Sequence, residues 1–394
     1  MHTHSHATQD RPRPASVSWN LLAAIVLFAA ITPTILMTAP AVAAQLGAQW
    51  QLSPSQIGDL FSVELGAMSL ATLPALWWLR RVNWRLAALA AAGLFIAANL
   101  LSMLADSYTH LLTLRFASAL AGGSLMIICL ASAATTANPS RVYGLWVMGQ
   151  LVVGAIGLAV LPGLFERYGL GACYLILAGL MTLLLPLARS FPNAASAPQT
   201  AETARVSGSR WHAALGVGAV LAFYISLGGV WTFIGALGAR VGISPQDSGE
   251  VLAVATVMGI AGAACASLIG PRLSRLRLLL VGYALMAAAV LLLLGQPTLM
   301  RFALAALLFK FTWTFILPLI LACLADLDHS GKLMNASNLV IGGGLAIGPA
   351  IAGRLIEVSG SFTALLIGGA VITLLSLVMI LASRPKPVVE MEPV

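Results

Sequence analysis

The sequence predicts an all-α polytopic membrane protein of twelve transmembrane helices, arranged as two pseudo-symmetric six-helix bundles. Three observations carry this expectation. Apolar residues make up 59% of the 394 and charged residues only 9%, with a mean hydropathy of +0.94, whereas soluble domains are about one quarter charged. The apolar residues fall into long runs divided by short polar punctuation, and the second half of the chain echoes the first at nearly constant spacing. So much apolar surface cannot be hidden in a water-soluble core. A soluble enzyme, a secreted disulfide scaffold and a nucleic-acid-binding module are excluded on that ground.

Each run is long enough to cross a hydrocarbon core of about 30 Å. Six runs cover residues 19–44, 55–79, 84–105, 109–137, 142–164 and 170–189; six more cover 211–238, 247–270, 277–296, 299–325, 333–356 and 361–383. Hydrocarbon cannot solvate open backbone groups, so each must be a helix; a barrel would show ten-residue alternation instead. The polar break, rich in Ala, Ser, Pro and Thr, reads as a flexible linker. The expected organisation is therefore a cytoplasmic tail (1–18), a first bundle (19–189), a cytoplasmic linker (190–210), a second bundle (211–383) and a cytoplasmic tail (384–394). The first run is too long for a signal-peptide core, so it is expected as an uncleaved helix, although Ala41–Ala44 faintly mimics a cleavage site.

Orientation follows from the cations. With the amino terminus inside, the cytoplasmic side receives Arg11, Arg13, Arg80, Arg81, Arg85, Arg141, Arg189, Arg205, Arg210, Arg272, Arg275, Arg277, Lys332, Arg384 and Lys386. The outer side receives only Arg167, Arg240, Arg301 and Arg354. This bias predicts an inner (plasma) membrane protein with both termini in the cytoplasm. The net charge of +8 thus reflects membrane topology and points to no acidic partner.

The duplication is legible in three places. Leu52-Ser53-Pro54-Ser55-Gln56-Ile57-Gly58-Asp59 opens segment two, and Ile243-Ser244-Pro245-Gln246-Asp247-Ser248-Gly249-Glu250 opens segment eight, 191 positions later. Gly157, Glu166 and Gly169 of segment five recur, at the same offset, as Gly348, Glu357 and Gly360 of segment eleven. Arg115-Phe116 of segment four matches Lys310-Phe311 of segment ten at an offset of 195. Internal repeats of this kind mark secondary transporters, whose site lies at the repeat interface near the midplane. The Thr38-Ala39-Pro40 exit from segment one, Leu46-Gly47…Ser53…Gly58 before segment two, the mid-chain linker, and Arg115 followed by Ala119 and Gly122-Gly123 together resemble the major facilitator superfamily over nearly the whole chain. The resemblance implies a solute transporter working by alternating access, and it implies a proton-coupling role for Arg115.

Charges within hydrocarbon are costly and face a water-filled path or a partner. Glu64 lies about 14 Å into segment two and Lys310 about 16 Å into segment ten; Arg115 is shallower, about 9 Å in, and long enough to snorkel outward. Position 255, repeat-related to Glu64, is Ala255, so the acid breaks the internal symmetry. Glu64 is expected as a proton-coupling or substrate-binding acid; the alternative is a structural ion pair or hydrogen bond to a neighbouring helix. Arg115 is expected beside it, or tied to carbonyls. Arg115 and Lys310 are expected to line one cavity from opposite halves. On its helix Lys310 shares a face with Trp313 and Thr314, a mixture suited to an aromatic or short-chain carboxylate. Tyr224 and Trp231 of segment seven, and Asn335 and Asn338 of segment eleven, are the remaining candidate substrate contacts, with interhelical hydrogen bonding as their alternative role.

Asp59 and Glu250 sit in the first turns of their helices, where acids complement the helix dipole. Glu166–Arg167 and Arg354–Glu357 are expected as interfacial pairs, and Asp326 and Asp328 border a cytoplasmic loop. Cys129, Cys173, Cys265 and Cys323 all lie inside apolar runs and are expected as packing residues. His2, His4 and His6 fall in a tail with nothing nearby to fix a metal geometry. No Walker-type motif is present, so a proton gradient rather than ATP is the expected energy source, with no cofactor. The expected function is proton-coupled transport of a small organic solute, an organic or aromatic carboxylate, by a monomer whose partners are that solute and the bilayer, not nucleic acid. Proton-driven export of drugs or amphipathic compounds is the alternative. A sensor or assembly factor that keeps a transporter fold is the reading from another class. A membrane enzyme is disfavoured, since no His-rich cluster or Ser-His pair lies within the spans.

Overall fold

The computed structural model describes residues 18–193, 210–270, 272–327 and 332–383. The His-containing tail, the centre of the linker, Asp328 and the carboxy-terminal tail lie outside the described residues. Among those described, nine helices are long and apolar enough to cross a membrane, and they match predicted segments three to eight and ten to twelve. The other three predicted segments are also helical, in shorter pieces.

Segment one departs from a single helix. It comprises α1 (Trp19–Ile31), α2 (Thr34–Met37) and α3 (Ala39–Trp50). Pro33 and Pro40 each withhold a backbone N–H, which interrupts the helical ladder. Gln150 Nε2 covers the carbonyl that Pro33 leaves free, donating to Ala29 O at 3.0 Å, and the neighbouring threonines add bonds within the segment, Thr34 Oγ1 to Ile31 O at 2.7 Å and Thr38 Oγ1 to Thr34 O at 2.8 Å. Segment two is likewise divided into α4 (Pro54–Leu70) and α5 (Thr72–Trp78), because Pro74 cannot donate to the carbonyl of Leu70. Segment nine forms one helix of only 17 residues, α12 (Arg275–Leu291).

The duplicated sequence forms duplicated caps. Ser53 Oγ accepts from Gln56 N at 3.3 Å while Gln56 Oε1 accepts from Ser53 N at 3.0 Å, a complete capping box. Ser244 Oγ does the first of these jobs for α11 (Pro245–Ile269), accepting from Asp247 N at 3.0 Å. Between them run α6 (Trp84–Ser102), α7 (Tyr108–Ala134), α8 (Pro139–Tyr168), α9 (Gly171–Leu184) with a 3-10 turn at Leu185–Ser190, and α10 (Arg210–Arg240). The chain continues through α12 (Arg275–Leu291), α13 (Leu299–Leu327), α14 (Lys332–Ser359) and α15 (Thr363–Ala382). Gly169 after α8 and Gly360 after α14 both adopt positive φ, at 67° and 65°. These left-handed stops are the physical content of the Gly-Glu-Gly echo in the sequence.

Within the first half α7 packs on α4 and α6, and α1 on α8; within the second α10 packs on α14 and α15, and α13 on α11 and α12. Large aliphatic side chains remain on the outside, Val358 at 90% and Leu183 at 75% exposure, as a bilayer-facing surface requires. The halves meet along α4–α14, α8–α11 and α3–α10. Gly58 faces the carbonyl of Pro349 and Gly353 that of Pro54, so closely that an added Cβ would collide with backbone at both. Such small residues are what allow helices to approach in lipid. These contacts gather the α3–α4 turn, the end of α8 and the ends of α10 and α14 at one end of the molecule, here called the far end.

Candidate functional site

Glu64 on α4 and Arg115 on α7 meet inside the first half. Arg115 Nη1 lies 3.6 Å from Glu64 Oε1, with both side chains buried. Arg115 is 1% exposed; its stem is long enough to reach outward, but it stays inside beside Glu64 because α6 supplies acceptors that hold it. Its Nη2 donates to Ser102 Oγ at 2.8 Å and to Asn99 Oδ1 at 3.1 Å. Its Nε also donates to Ser102 Oγ, at 3.2 Å. The guanidinium carbon stands 4.3 Å over the Tyr174 ring, a favourable cation–π geometry. Asn99 is fixed in turn, donating to Phe95 O at 2.8 Å and Ser118 Oγ at 2.9 Å. Arg115 Nη1 alone has no hydrogen bond, and it is the nitrogen turned to Glu64.

A small cavity adjoins Glu64, lined by Thr32, Pro33, Ile35, Leu36, Leu65, Met68, Phe95, Ser118 and Ala119. It has room for about one water molecule. The buried Thr32 hydroxyl beside it has no partner. Every lining residue belongs to the first half. The expectation of one crevice lined by Arg115 and Lys310 together is therefore corrected: Arg115 turns into its own bundle, onto α6, rather than across the seam.

Lys310 has its own surroundings in the second half. Its Nζ stands 3.8 Å from the Trp231 ring centroid and 4.3 Å from that of Trp313. Phe309 stacks on Trp231 with centroids 6.4 Å apart, and Tyr224 meets Trp313 edge-on at 6.3 Å. The residue is 4% exposed, and among the described residues no carboxylate stands within ion-pair distance of it. Two ring faces are thus what stands against the ammonium among the described residues, a cation–π arrangement in a setting where charge is costly.

The remaining candidates separate into two groups. Trp313 meets Lys310 as the helical spacing suggests, while Trp231 reaches the ammonium from α10 and Tyr224, also on α10, packs behind Trp313. Thr314 does not join them: its hydroxyl donates to Gly259 O on α11 at 2.6 Å, because Gly259 and Gly262 let α11 and α13 approach closely. Asn338 is exposed, and the Asn335 side chain lies outside the described residues. Sequence reasoning missed Asn99, Ser102 and Tyr174. A signal existed for Asn99, a polar amide in the middle of a span. Among the described residues no group of three or more His, Cys, Asp or Glu is placed to hold a metal ion.

The far end carries a second set of polar contacts, all across the seam. Arg354 pairs with Asp59 through Nη1–Oδ1 at 2.7 Å and Nη2–Oδ2 at 3.3 Å. Glu357 Oε2 accepts from Ser53 Oγ at 2.9 Å and from Ser55 N at 3.0 Å. The predicted Arg354–Glu357 pair is thus replaced by four hydrogen bonds between the halves. Asp59 offers both carboxylate oxygens to the guanidinium, and the amino end of α4 attracts Glu357. Glu166 and Arg167 are exposed and form no ion pair among the described residues. Arg275 pairs with Asp326. A cavity of about 470 Å³ lies between the halves at the same end, walled by Pro40, Pro162, Gly235, Pro245, Gln246 and their neighbours.

The comparisons agree with this architecture. The bacterial homologue of the human lysosomal transporter Spinster, in its inward-facing occupied form, is 17% identical, with TM-score 0.66 over 93% of this chain and 98% of that one. The nucleoside transporter NupG is 12% identical, with TM-score 0.71 over 92% and 97%. The POT family transporter PepTSo is 12% identical, with TM-score 0.70 over 92% and 97%. At these identities the likeness is one of fold. The family model described as Major Facilitator Superfamily matches residues 21–327, most of the chain. With paired helical halves and charged residues buried in each, the chain belongs to the major facilitator superfamily and is a membrane transporter, not an enzyme.

Proposed function

We propose that the protein carries a small organic anion, an aromatic or short-chain carboxylate, across the inner membrane in exchange for or together with protons. The observation that carries this reading is the Lys310 ammonium, buried between Trp231 and Trp313 with no carboxylate among the described residues to neutralise it. A carboxylate supplies the missing charge and an aromatic body fits the ring faces. Lys310, Trp231, Trp313 and Tyr224 form the solute-binding group in this proposal. Glu64 is the proton-carrying group: its carboxyl faces a cavity of about one water and one unbonded nitrogen of Arg115. Losing its proton creates an ion pair with Arg115, and gaining one releases that nitrogen. The cation bias of the loops supports cytoplasmic termini, which turns the far end outward. In this reading the structure is closed at its outer side.

The test is flux in proteoliposomes with an imposed pH gradient, using radiolabelled benzoate and, separately, a cationic dye such as ethidium. Gradient-driven benzoate flux that disappears in Lys310→Met and becomes gradient-independent in Glu64→Gln is the expected result. Benzoate flux indifferent to Lys310→Met overturns the anion reading. Ethidium flux without benzoate flux favours the export of amphipathic compounds instead.

A further inference from the structure

One hydrogen bond joins the Lys310 site to the opposite half of the protein. Trp231 Nε1 donates to Leu36 O at 2.9 Å. The acceptor is available for a local reason: in an unbroken helix the carbonyl of Leu36 would be taken by the backbone N–H of residue 40, and residue 40 is proline. Leu36 belongs to α2, the short piece between the two breaks of segment one. Four residues along, Pro40 abuts Gly235, one turn beyond Trp231 on α10, with its carbonyl where a Cβ would stand. The indole is fully buried. One edge of it is therefore tied to the first half while its face covers the ammonium of the second.

We propose that Trp231 is a positioning residue that links occupancy of the Lys310 site to closure of the far end. The indole cannot serve both partners once an anion binds. A carboxylate that reaches Lys310 needs space beside an Nζ flanked by the two indoles at 3.8 and 4.3 Å. Of these, Trp231 is the ring whose displacement also breaks a bond between the halves. Its N–H then leaves the Leu36 carbonyl on α2, and the adjoining α3–α10 contact, part of the seam that holds the far end shut, loses that tether and loosens. Trp313 contacts the same ammonium and meets Trp231 edge-on at 6.2 Å, but among the described residues it makes no hydrogen bond across the seam itself, so its ring can be changed without removing that tether. Leu36 also lines the cavity at Glu64, so the element that receives the tether is a wall of the first-half site as well. The anion step rests on the proposed function; the closure step does not.

The experiment separates the two. Spin labels are placed at Tyr168→Cys and Val358→Cys, exposed far-end positions on α8 and α14, in full-length protein whose four native cysteines are replaced. The distance distribution reports the fraction of molecules open at the far end. Without any solute, Trp231→Phe keeps a ring over Lys310 and removes the N–H donor. The open fraction is expected to rise about 2- to 10-fold, the weight of one hydrogen bond, while Trp313→Phe leaves it unchanged. An open fraction in Trp231→Phe equal to that of the parent, or an equal rise in Trp313→Phe, overturns the proposal. Benzoate is then added. It is expected to raise the open fraction in the parent and to have a much smaller effect in Trp231→Phe. If benzoate is transported yet leaves the parent distribution unmoved, the link between occupancy and closure is overturned. If benzoate is not transported at all, the anion reading fails, and the solute-free comparison still decides the closure role of Trp231.

Discussion

Replacing Arg115 by methionine keeps most of the side-chain volume and removes the charge that faces Glu64. At 3.6 Å and an effective dielectric near 20, the pair's gross Coulomb attraction is about 5 kcal/mol. Desolvation of both groups offsets much of it, and removing one partner of a buried pair costs about 3–5 kcal/mol because the other charge is stranded. Glu64→Gln strands less. Arg115 keeps Ser102, Asn99 and the face of Tyr174, so its loss is expected at about 1–2 kcal/mol, the weight of one charged hydrogen bond. In the double variant no unpaired carboxylate remains, and its loss is expected to fall short of the sum of the two by about 1–3 kcal/mol. The assay is reversible unfolding in mixed micelles, titrated with a denaturing detergent and followed by tryptophan fluorescence. Losses that add to within about 0.5 kcal/mol would refute the view that Glu64 and Arg115 form one electrostatic unit.

Asn99→Leu removes an acceptor from Arg115 and a donor from Ser118 and is expected to cost about 1–3 kcal/mol in that unfolding assay; a neutral result would show that Ser102 and Tyr174 suffice. Gly58→Val forces a side chain against the Pro349 backbone, an overpacking expected to cost about 1–3 kcal/mol and to lower the yield of a Ser55→Cys/Glu357→Cys crosslink between the halves. Asp59→Asn removes the far-end pair with Arg354 and is expected to lower the yield of the same crosslink, with the difference from the parent shrinking at high salt because the pair is exposed. Cys265, half-buried, is expected to react with a maleimide before the buried Cys129 and Cys173, as judged by mass spectrometry of digested protein.

The buried charges show where sequence reading succeeds and where it stops. Glu64, Arg115 and Lys310 stand out because an ion within a long apolar run has a large energetic cost, and cost is visible in one dimension. The direction each side chain takes is not. Arg115 could reach solvent or its own bundle with equal stem length, and Asn99 and Ser102, one helix back, decide the matter. Lys310 and Trp313 lie three apart on one helix, so their contact follows from helical period. Trp231 joins them from another helix, and only packing brings it there. Thr314 shows the reverse: the right face by spacing, yet its hydroxyl is taken by Gly259 because glycines bring that neighbour within reach.

Segment identity, helical state, the duplicated caps and the glycine stops were fixed by local chemistry: apolar run length, Ser-Pro starts, and the φ freedom of Gly169 and Gly360. Each depends on a few adjacent residues, so the sequence alone determined them. The breaks at Pro33, Pro40 and Pro74 were equally local, and were missed because hydropathy averages across them. The tertiary structure decided that the two buried cations turn into separate surroundings instead of lining one crevice. It also decided that Arg354 and Glu357 reach across the seam instead of to each other, and that the carbonyl freed by Pro40 receives the Trp231 indole. Those outcomes depend on distances between residues some 200 to 300 positions apart, which are set by how whole helices pack and by no property of either residue.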